Sequence, residues 1–267
     1  MSSNRPTTRQ SVFITGAAAG IGRAIAERFA KAGWFVGIYD VDEAAVQALA
    51  LQLGAGNCHA GRLDVSSAPD WGPQLEAFWQ AAGQRLDVLV NNAGIAVTSP
   101  FEAADLARHH RLIDINIKGV INGCYAALPY LKCTPGARVV NLCSASALHG
   151  QPQLATYSAS KAAVRSLTEA LDIEWQAHGI RVVDVLPLFV NTAMVRNDVS
   201  KMKTVQILGV RLSADDVART VWKLAQGSPR SLPTHSPVGW QTKLFYVLGK
   251  CSPDAINRFV TARMAGY

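Results

Sequence analysis

Ser11-Val-Phe-Ile-Thr15-Gly16-Ala-Ala-Ala-Gly20-Ile-Gly22 is the stretch on which the reading of this chain turns. Its first five residues form a short apolar, β-branched run that closes on a glycine, as a buried strand does. From Gly20 to Ala32 the apolar residues Ile21, Ala24, Ile25 and Phe29 recur at helical spacing, and Gly33 stops the helix. A strand that passes through glycines into a helix brings backbone N–H groups and the positive helix end to one point. That arrangement suits a pyrophosphate. The spacing is G-x-x-x-G-x-G, which differs from the commoner G-x-G-x-x-G.

Outward from this segment the same alternation repeats. Trp34 to Tyr39 reads as a second strand, Glu43 to Leu53 as a helix and Cys58 to Leu63 as a third strand. A helix around Trp71 to Ala82 precedes the strand Leu86 to Val90, and a long helix from Ala103 to Leu131 precedes the strand Arg138 to Leu142. A helix from Ala155 to Ala177 then leads to the strand Arg181 to Leu186. Strand–helix alternation at this pitch predicts an α/β fold, a single doubly wound parallel sheet with helices on both faces. No linker divides the chain, so one domain is expected over residues 11–238, preceded by a flexible tail, 1–10. Residues 193–212 are weakly periodic, and Ser213 is placed to cap a helix. Beyond the prolines at 229, 233 and 237, residues 239–267 read as a two-helix extension of the same domain. Trp240, Leu244, Phe245 and Leu248 lie on one of these helices, and Ile256, Phe259 and Val260 on the other.

Composition narrows the function. Hydrophobic residues make up 49% of the 267 and charged residues 17%, which supports a sizeable core and argues against disorder. No apolar run reaches the roughly 18 to 20 residues that cross a bilayer. The opening MSSNRPTTRQ has no apolar signal core, so a cytoplasmic location is expected. The five cysteines are scattered and the six histidines lack ligand spacing, so neither a disulfide framework nor a metal site is expected. The net charge of +7 is dispersed. It fits attraction of an anionic cofactor better than tracking of nucleic acid.

Asp40 ends the second strand, where a carboxylate accepts hydrogen bonds from an adenosine ribose and repels a 2′-phosphate. No Arg or Lys follows in Val41-Asp42-Glu43, so NAD is favoured over NADP. Together with Asn91-Asn92-Ala93-Gly94 and Tyr157-Ser-Ala-Ser-Lys161, the glycine turn resembles the short-chain dehydrogenase/reductase family, over about residues 11–225. The resemblance implies a Rossmann-like sheet and a catalytic set of Asn116, Ser144, Tyr157 and Lys161. In that set Ser144 would hold the substrate oxygen and Tyr157 would transfer the proton. Lys161 would hold the nicotinamide ribose and lower the tyrosine pKa, and Asn116, matching the family's helix-break asparagine, would anchor a water leading to Lys161. Tyr157 and Lys161 are one helical turn apart, on one face. Moving a phenol from about 10 to near 7 needs roughly 4 kcal/mol of phenolate stabilisation, which the lysine and a positive nicotinamide together would supply.

The resemblance also implies the cofactor's surroundings. The dinucleotide would contact Gly16, Ala19, Gly20, Ile21 and Gly22 at the turn, Asp40 at the ribose, and Asp64 and Val65 at the adenine. Asn92 and Gly94 would lie near a ribose, with Pro187, Val190 and Thr192 around the carboxamide. One departure stands out: Leu188 follows Pro187 where the family usually has glycine. Leu188, Ala145, His149, Leu154, Met194 and the 200–210 segment are the expected walls of a mainly apolar substrate site. The expected activity is NAD-dependent interconversion of a hydrophobic alcohol and its ketone or aldehyde. The alternatives are an NADPH-dependent carbonyl reductase and a non-catalytic dinucleotide sensor. A homotetramer or homodimer is expected through the helices near 103–131 and 155–178. The basic tail is expected to pack its apolar face on its own subunit or a neighbour, the alternative being an anionic membrane surface.

Overall fold

Seven short runs, five of them rich in valine and other apolar residues, pair side by side into one parallel sheet. The strands are β1 (Ser11–Thr15), β2 (Phe35–Asp40), β3 (Cys58–Arg62), β4 (Val88–Asn91), β5 (Arg138–Leu142), β6 (Arg181–Leu186) and β7 (His235–Pro237), in spatial order β3-β2-β1-β4-β5-β6-β7. This computed structural model describes residues 9–228 and 231–267. Most of the expected N-terminal tail, and Pro229, lie outside the described residues.

Side chains alternate across each strand, so the sheet feeds two cores. Val12 and Ile14 of β1 enter a core with Ile25, Phe29, Val217 and Val221, while Phe13 between them enters another with Trp71, Leu75, Phe78 and Ala127. The first core is closed by helices α1 (Gly20–Lys31), α2 (Glu43–Leu53) and α8 (Ala214–Gln226). The second is closed by α3 (Ala68–Ala81), α5 (Gly119–Lys132) and α6 (Ala155–Glu174). The sheet is covered on both faces, as the alternation predicts. Ser213 caps α8 in a reciprocal pair with Asp216, as expected. β1 pairs with both β2 and β4, Val12 aligning with Val36 and Val88. At this reversal of strand order, turns leaving the carboxyl ends of β1 and β4 diverge and open a crevice.

Three elements depart from the sequence reading. The expected helix 103–131 begins as α4 (Leu106–Ile113) and passes through one π turn, Asp114–Lys118, before α5. The wide turn carries Asn116 into the interior, where it is fully buried. The helix expected to reach Ala177 ends as α6 at Glu174, with a 3₁₀ turn, Trp175–His178, closing it at Gly179. β7 arises in a proline-rich stretch that carries no strand pattern. It pairs only with β6, and proline is tolerated at such an edge because no neighbour needs its missing N–H. After β6 the weakly periodic segment forms a π turn, Val195–Val199, and the short helix α7 (Lys203–Leu208). The tail forms two helices, as expected: α9 (Gly239–Cys251) and α10 (Asp254–Ala265).

Candidate active site

The crevice is built first by glycine. Gly16 and Gly20 have φ of +65° and +55°, a left-handed conformation that side chains disfavour. A Cβ on Gly22 would stand 2.1 Å from the Gly16 carbonyl oxygen, so only glycine lets α1 start this close to the turn. Gly22 therefore lies beneath the crevice, whereas Gly16, Ala19, Gly20 and Ile21 line it. The turn after β4 is laced to the turn after β1. The Asn92 side-chain amide donates to the carbonyls of Thr15 and Gly16, both at 2.9 Å, and the Thr15 hydroxyl accepts from Asn92 and Ala93 N–H at 3.1 Å.

Asp40 faces the same crevice. Its carboxylate accepts from Ala18 N–H at 3.1 Å and Asp42 N–H at 3.2 Å, which fixes its orientation and leaves acceptor capacity for a hydroxyl pair. Asp64 lies further along. Burial would raise its carboxyl pKa, but bonds from Ser66 and Arg111 outweigh that and hold it below the usual range. Arg111 donates to Asp64 at 3.2 Å and to the Ser66 hydroxyl at 2.9 Å. The sequence reading missed it, because a lone arginine on an amphipathic helix carries no signal of its destination.

Ser144 follows β5, and its hydroxyl accepts from Ser146 N–H at 3.2 Å. Tyr157 and Lys161 project from the first turns of α6, with the Lys161 Nζ 5.7 Å from the tyrosine ring centroid. Lys161 is only 5% exposed, and its Nζ donates to the Leu142 carbonyl at 2.7 Å, leaving two N–H donors beside the crevice. Burial lowers its pKa below the ordinary lysine value. Burial likewise pushes the Tyr157 phenol up to about 12, partly offset by the neighbouring Ser144 hydroxyl. The expected depression toward 7 calls for a positive nicotinamide beside Lys161; in the chain alone, desolvation of the phenolate is the largest influence on the phenol. Asn116 does not line the crevice. Its side chain clamps Ile95, accepting from the N–H at 2.9 Å and donating to the carbonyl at 2.9 Å, and it donates to the Ser160 hydroxyl at 3.1 Å.

Two cavities meet at these residues. The crevice encloses about 370 Å³ between the glycine turn, Asp40, Asp64, Val65, Asn92, Gly94 and Lys161, and it extends to Pro187, Val190 and Thr192. A second cavity of about 590 Å³ holds Ala145, His149, Leu154 and residues of 199–208. Ser144, Tyr157, Leu188, Met194 and Val195 belong to both.

The family model described as short chain dehydrogenase matches residues 10–203. The chain belongs to the short chain dehydrogenase family. It is 37% identical over 231 residues to sulfoacetaldehyde reductase 2 of Chromohalobacter salexigens, covering 84% of this chain and 89% of that protein. It is 37% identical over 191 residues to a 3-beta-hydroxysteroid dehydrogenase of Comamonas testosteroni, covering 71% and 74%. The crystal structure of a 3-ketoacyl-(acyl-carrier-protein) reductase from Brucella melitensis, complexed with NADH, superposes with a TM-score of 0.78 at 29% identity, covering 85% and 95%. As a short chain dehydrogenase, this protein is an NAD(P)-dependent oxidoreductase that works by hydride transfer.

Two features distinguish this short chain dehydrogenase. Leu188 needs no glycine conformation: among described non-glycine residues only Gln84 and Gln153 have positive φ. Its side chain instead forms part of the wall shared by the two cavities. The second feature is the tail, whose Phe245, Leu248, Ile256, Val260 and Met264 complete the larger cavity. Their spacing marks them as helical, but nothing in the sequence shows that the two helices fold back over Ser144.

Proposed function

We propose that the chain uses NAD(H) to interconvert a hydrophobic alcohol and its ketone or aldehyde, with Tyr157 as general acid and base. The observation that carries this reading is the shared wall: the Ser144 hydroxyl and the Tyr157 phenol stand where a glycine-cradled crevice meets a mainly apolar cavity. A reacting carbon at that junction would face the crevice while the rest of the molecule fills the cavity. The cradle fits a dinucleotide, since a Cβ at Gly16 or Gly22 would collide with backbone. Bound there, the nicotinamide would accept or deliver the hydride.

The chain's own groups supply the proton and the alignment. Ser144 holds the substrate oxygen, and Tyr157 gives it a proton in reduction or takes one in oxidation. Lys161 offers its free N–H donors to a ribose in the crevice, and Asn116 keeps the Ile95 backbone in place behind it. A phenol held neutral is the donating form, so carbonyl reduction suits neutral pH and alcohol oxidation gains as pH rises. The preference for NAD rests on Asp40, whose charge opposes a 2′-phosphate. The exposed Ile121 and Tyr125 of α5 and Ile173 of α6 support pairing of copies through these helices.

The test follows nicotinamide absorbance with NAD⁺ and NADP⁺ across a panel of apolar alcohols, and with NADH and NADPH on the matching carbonyls. Tyr157→Phe is expected to lower turnover by about 10²- to 10⁴-fold while NADH binding, followed by fluorescence, is unchanged. Undiminished turnover in that variant would remove the proposed role. NADH binding without turnover of any carbonyl would favour the sensor alternative.

A further inference from the structure

α9 and α10 each turn one side toward the 590 Å³ cavity and another toward solvent. On α9 the outward residues are Trp240, Leu244, Val247, Leu248 and Cys251, a stripe at helical spacing. On α10 they include Ile256, Phe259 and Val260. Trp240 is 64% exposed and Phe259 67%, which is unusual for residues that bury so much apolar area when they can. Phe245 and Met264 turn onto the chain's own cavity, whereas Trp240, Leu244, Val247 and Phe259 are left exposed by it. Exposed apolar side chains clustered on adjacent elements mark an interaction surface.

Two observations say what covers it. The first is charge. Lys243 flanks the α9 stripe and Arg263 continues the Ile256–Phe259–Val260 face of α10, both exposed. The Lys203 side chain lies against Gly266 at the end of α10, and the Arg211 guanidinium sits 5.9 Å from the Trp240 ring centroid. Against these the two helices carry one acidic residue, Asp254. The second is continuity: Leu248, Ile256 and Val260 are exposed and also line the cavity, so its mouth opens within the patch. Basic residues among outward tryptophan, phenylalanine and leucine are the composition of a helix lying in a membrane interface, where long cationic side chains reach the headgroups.

We propose that the outer face of α9 and α10 docks on an anionic lipid surface, with the mouth of the apolar cavity turned toward the lipid. A lipophilic alcohol or ketone dissolved in the bilayer would then enter the cavity without crossing water. This role in substrate entry rests on the apolar substrate proposed above.

Co-sedimentation of the full chain with phosphatidylcholine vesicles, with and without phosphatidylglycerol, tests the docking. The chain should pellet with the anionic vesicles, and Lys243→Glu with Arg263→Glu should weaken this by about fivefold per charge, allowing for roughly 1 kcal/mol each. Trp240→Ser with Phe259→Ser should abolish pelleting, while both variants keep NADH binding. The proposal is overturned if the wild-type chain stays in the supernatant with anionic vesicles, or if pelleting is unchanged in both variants. It is equally overturned if light scattering finds a dimer that Trp240→Ser with Phe259→Ser dissociates and no vesicle binding accompanies it. The face would then be an interface between copies. Pelleting needs no turnover, so failure of the apolar-substrate reading shows in the alcohol panel and failure of docking shows in the pellet.

Discussion

At Asp40 and Tyr157 the surroundings set chemistry that residue type alone does not. Asp40 is held by two backbone N–H groups, and in the proposed binding mode its charge opposes a 2′-phosphate. Asp40→Ala removes the repulsion together with the ribose acceptor. The NAD⁺ to NADP⁺ ratio of kcat/KM is expected to fall by about tenfold or more, a change of ~1.4 kcal/mol; an unchanged ratio would place cofactor choice elsewhere, with Arg111 the first residue to examine. Tyr157 carries a stability consequence as well. Its folded pKa of about 12 lies above the ordinary value near 10, so the unfolded chain gives up that proton first as pH rises. The neutral phenol's contribution is complete below pH 10 and is lost between pH 10 and 12, at most of order 3 kcal/mol. Denaturant midpoints measured across that window should fall more steeply for the wild-type chain than for Tyr157→Phe. Parallel curves would mean that the phenol is better solvated than its burial implies.

Among the elements, the β1–α1 turn is the least tolerant of change. In Gly22→Ala the new methyl group would meet a backbone carbonyl, which cannot rotate away as a side-chain tip could. Dinucleotide Kd, read by NADH fluorescence, is expected to rise by about tenfold or more; a wild-type Kd would show that the turn relaxes freely. This turn was legible in the sequence because glycine spacing between an apolar run and a helical run has few other uses. The strands β1, β2, β4, β5 and β6 were legible for a similar reason, being short apolar runs rich in valine, and β3, Cys-His-Ala-Gly-Arg, was legible from its place in the alternation. β7 was not, since three residues ending in proline carry no period and form a strand only because β6 has an open edge. The π turn in the 103–131 helix had no local pattern, but it falls at Asn116, where the resemblance implied a helix break, and there Asn116 bonds the distant Ile95 backbone. Spacing put Tyr157 and Lys161 on one helix face and the resemblance added Ser144, while the burial of the phenol had no local signal. Desolvation depends on everything packed around the phenol, including residues distant in sequence.

For the whole molecule, the placement of α10 decides which substrates fit. Met264 lies on the cavity wall far along the chain from Ser144. Met264→Trp should fill part of the 590 Å³ and raise KM for bulky apolar substrates by about tenfold, leaving small ones and NADH affinity unaffected. A uniform effect across substrate sizes would show that α10 does not bound the working site. The two cavities also draw on different parts of the chain. The described residues around the dinucleotide crevice all come from positions up to Val195, whereas the far wall of the larger cavity comes from Val199 onward. Selection can therefore rewrite the last quarter of the gene, and with it what is oxidised or reduced, while the redox partner stays the same. A chimera that joins this chain's first three-quarters to the closing segment of another such enzyme should inherit its coenzyme from one parent and its diet from the other.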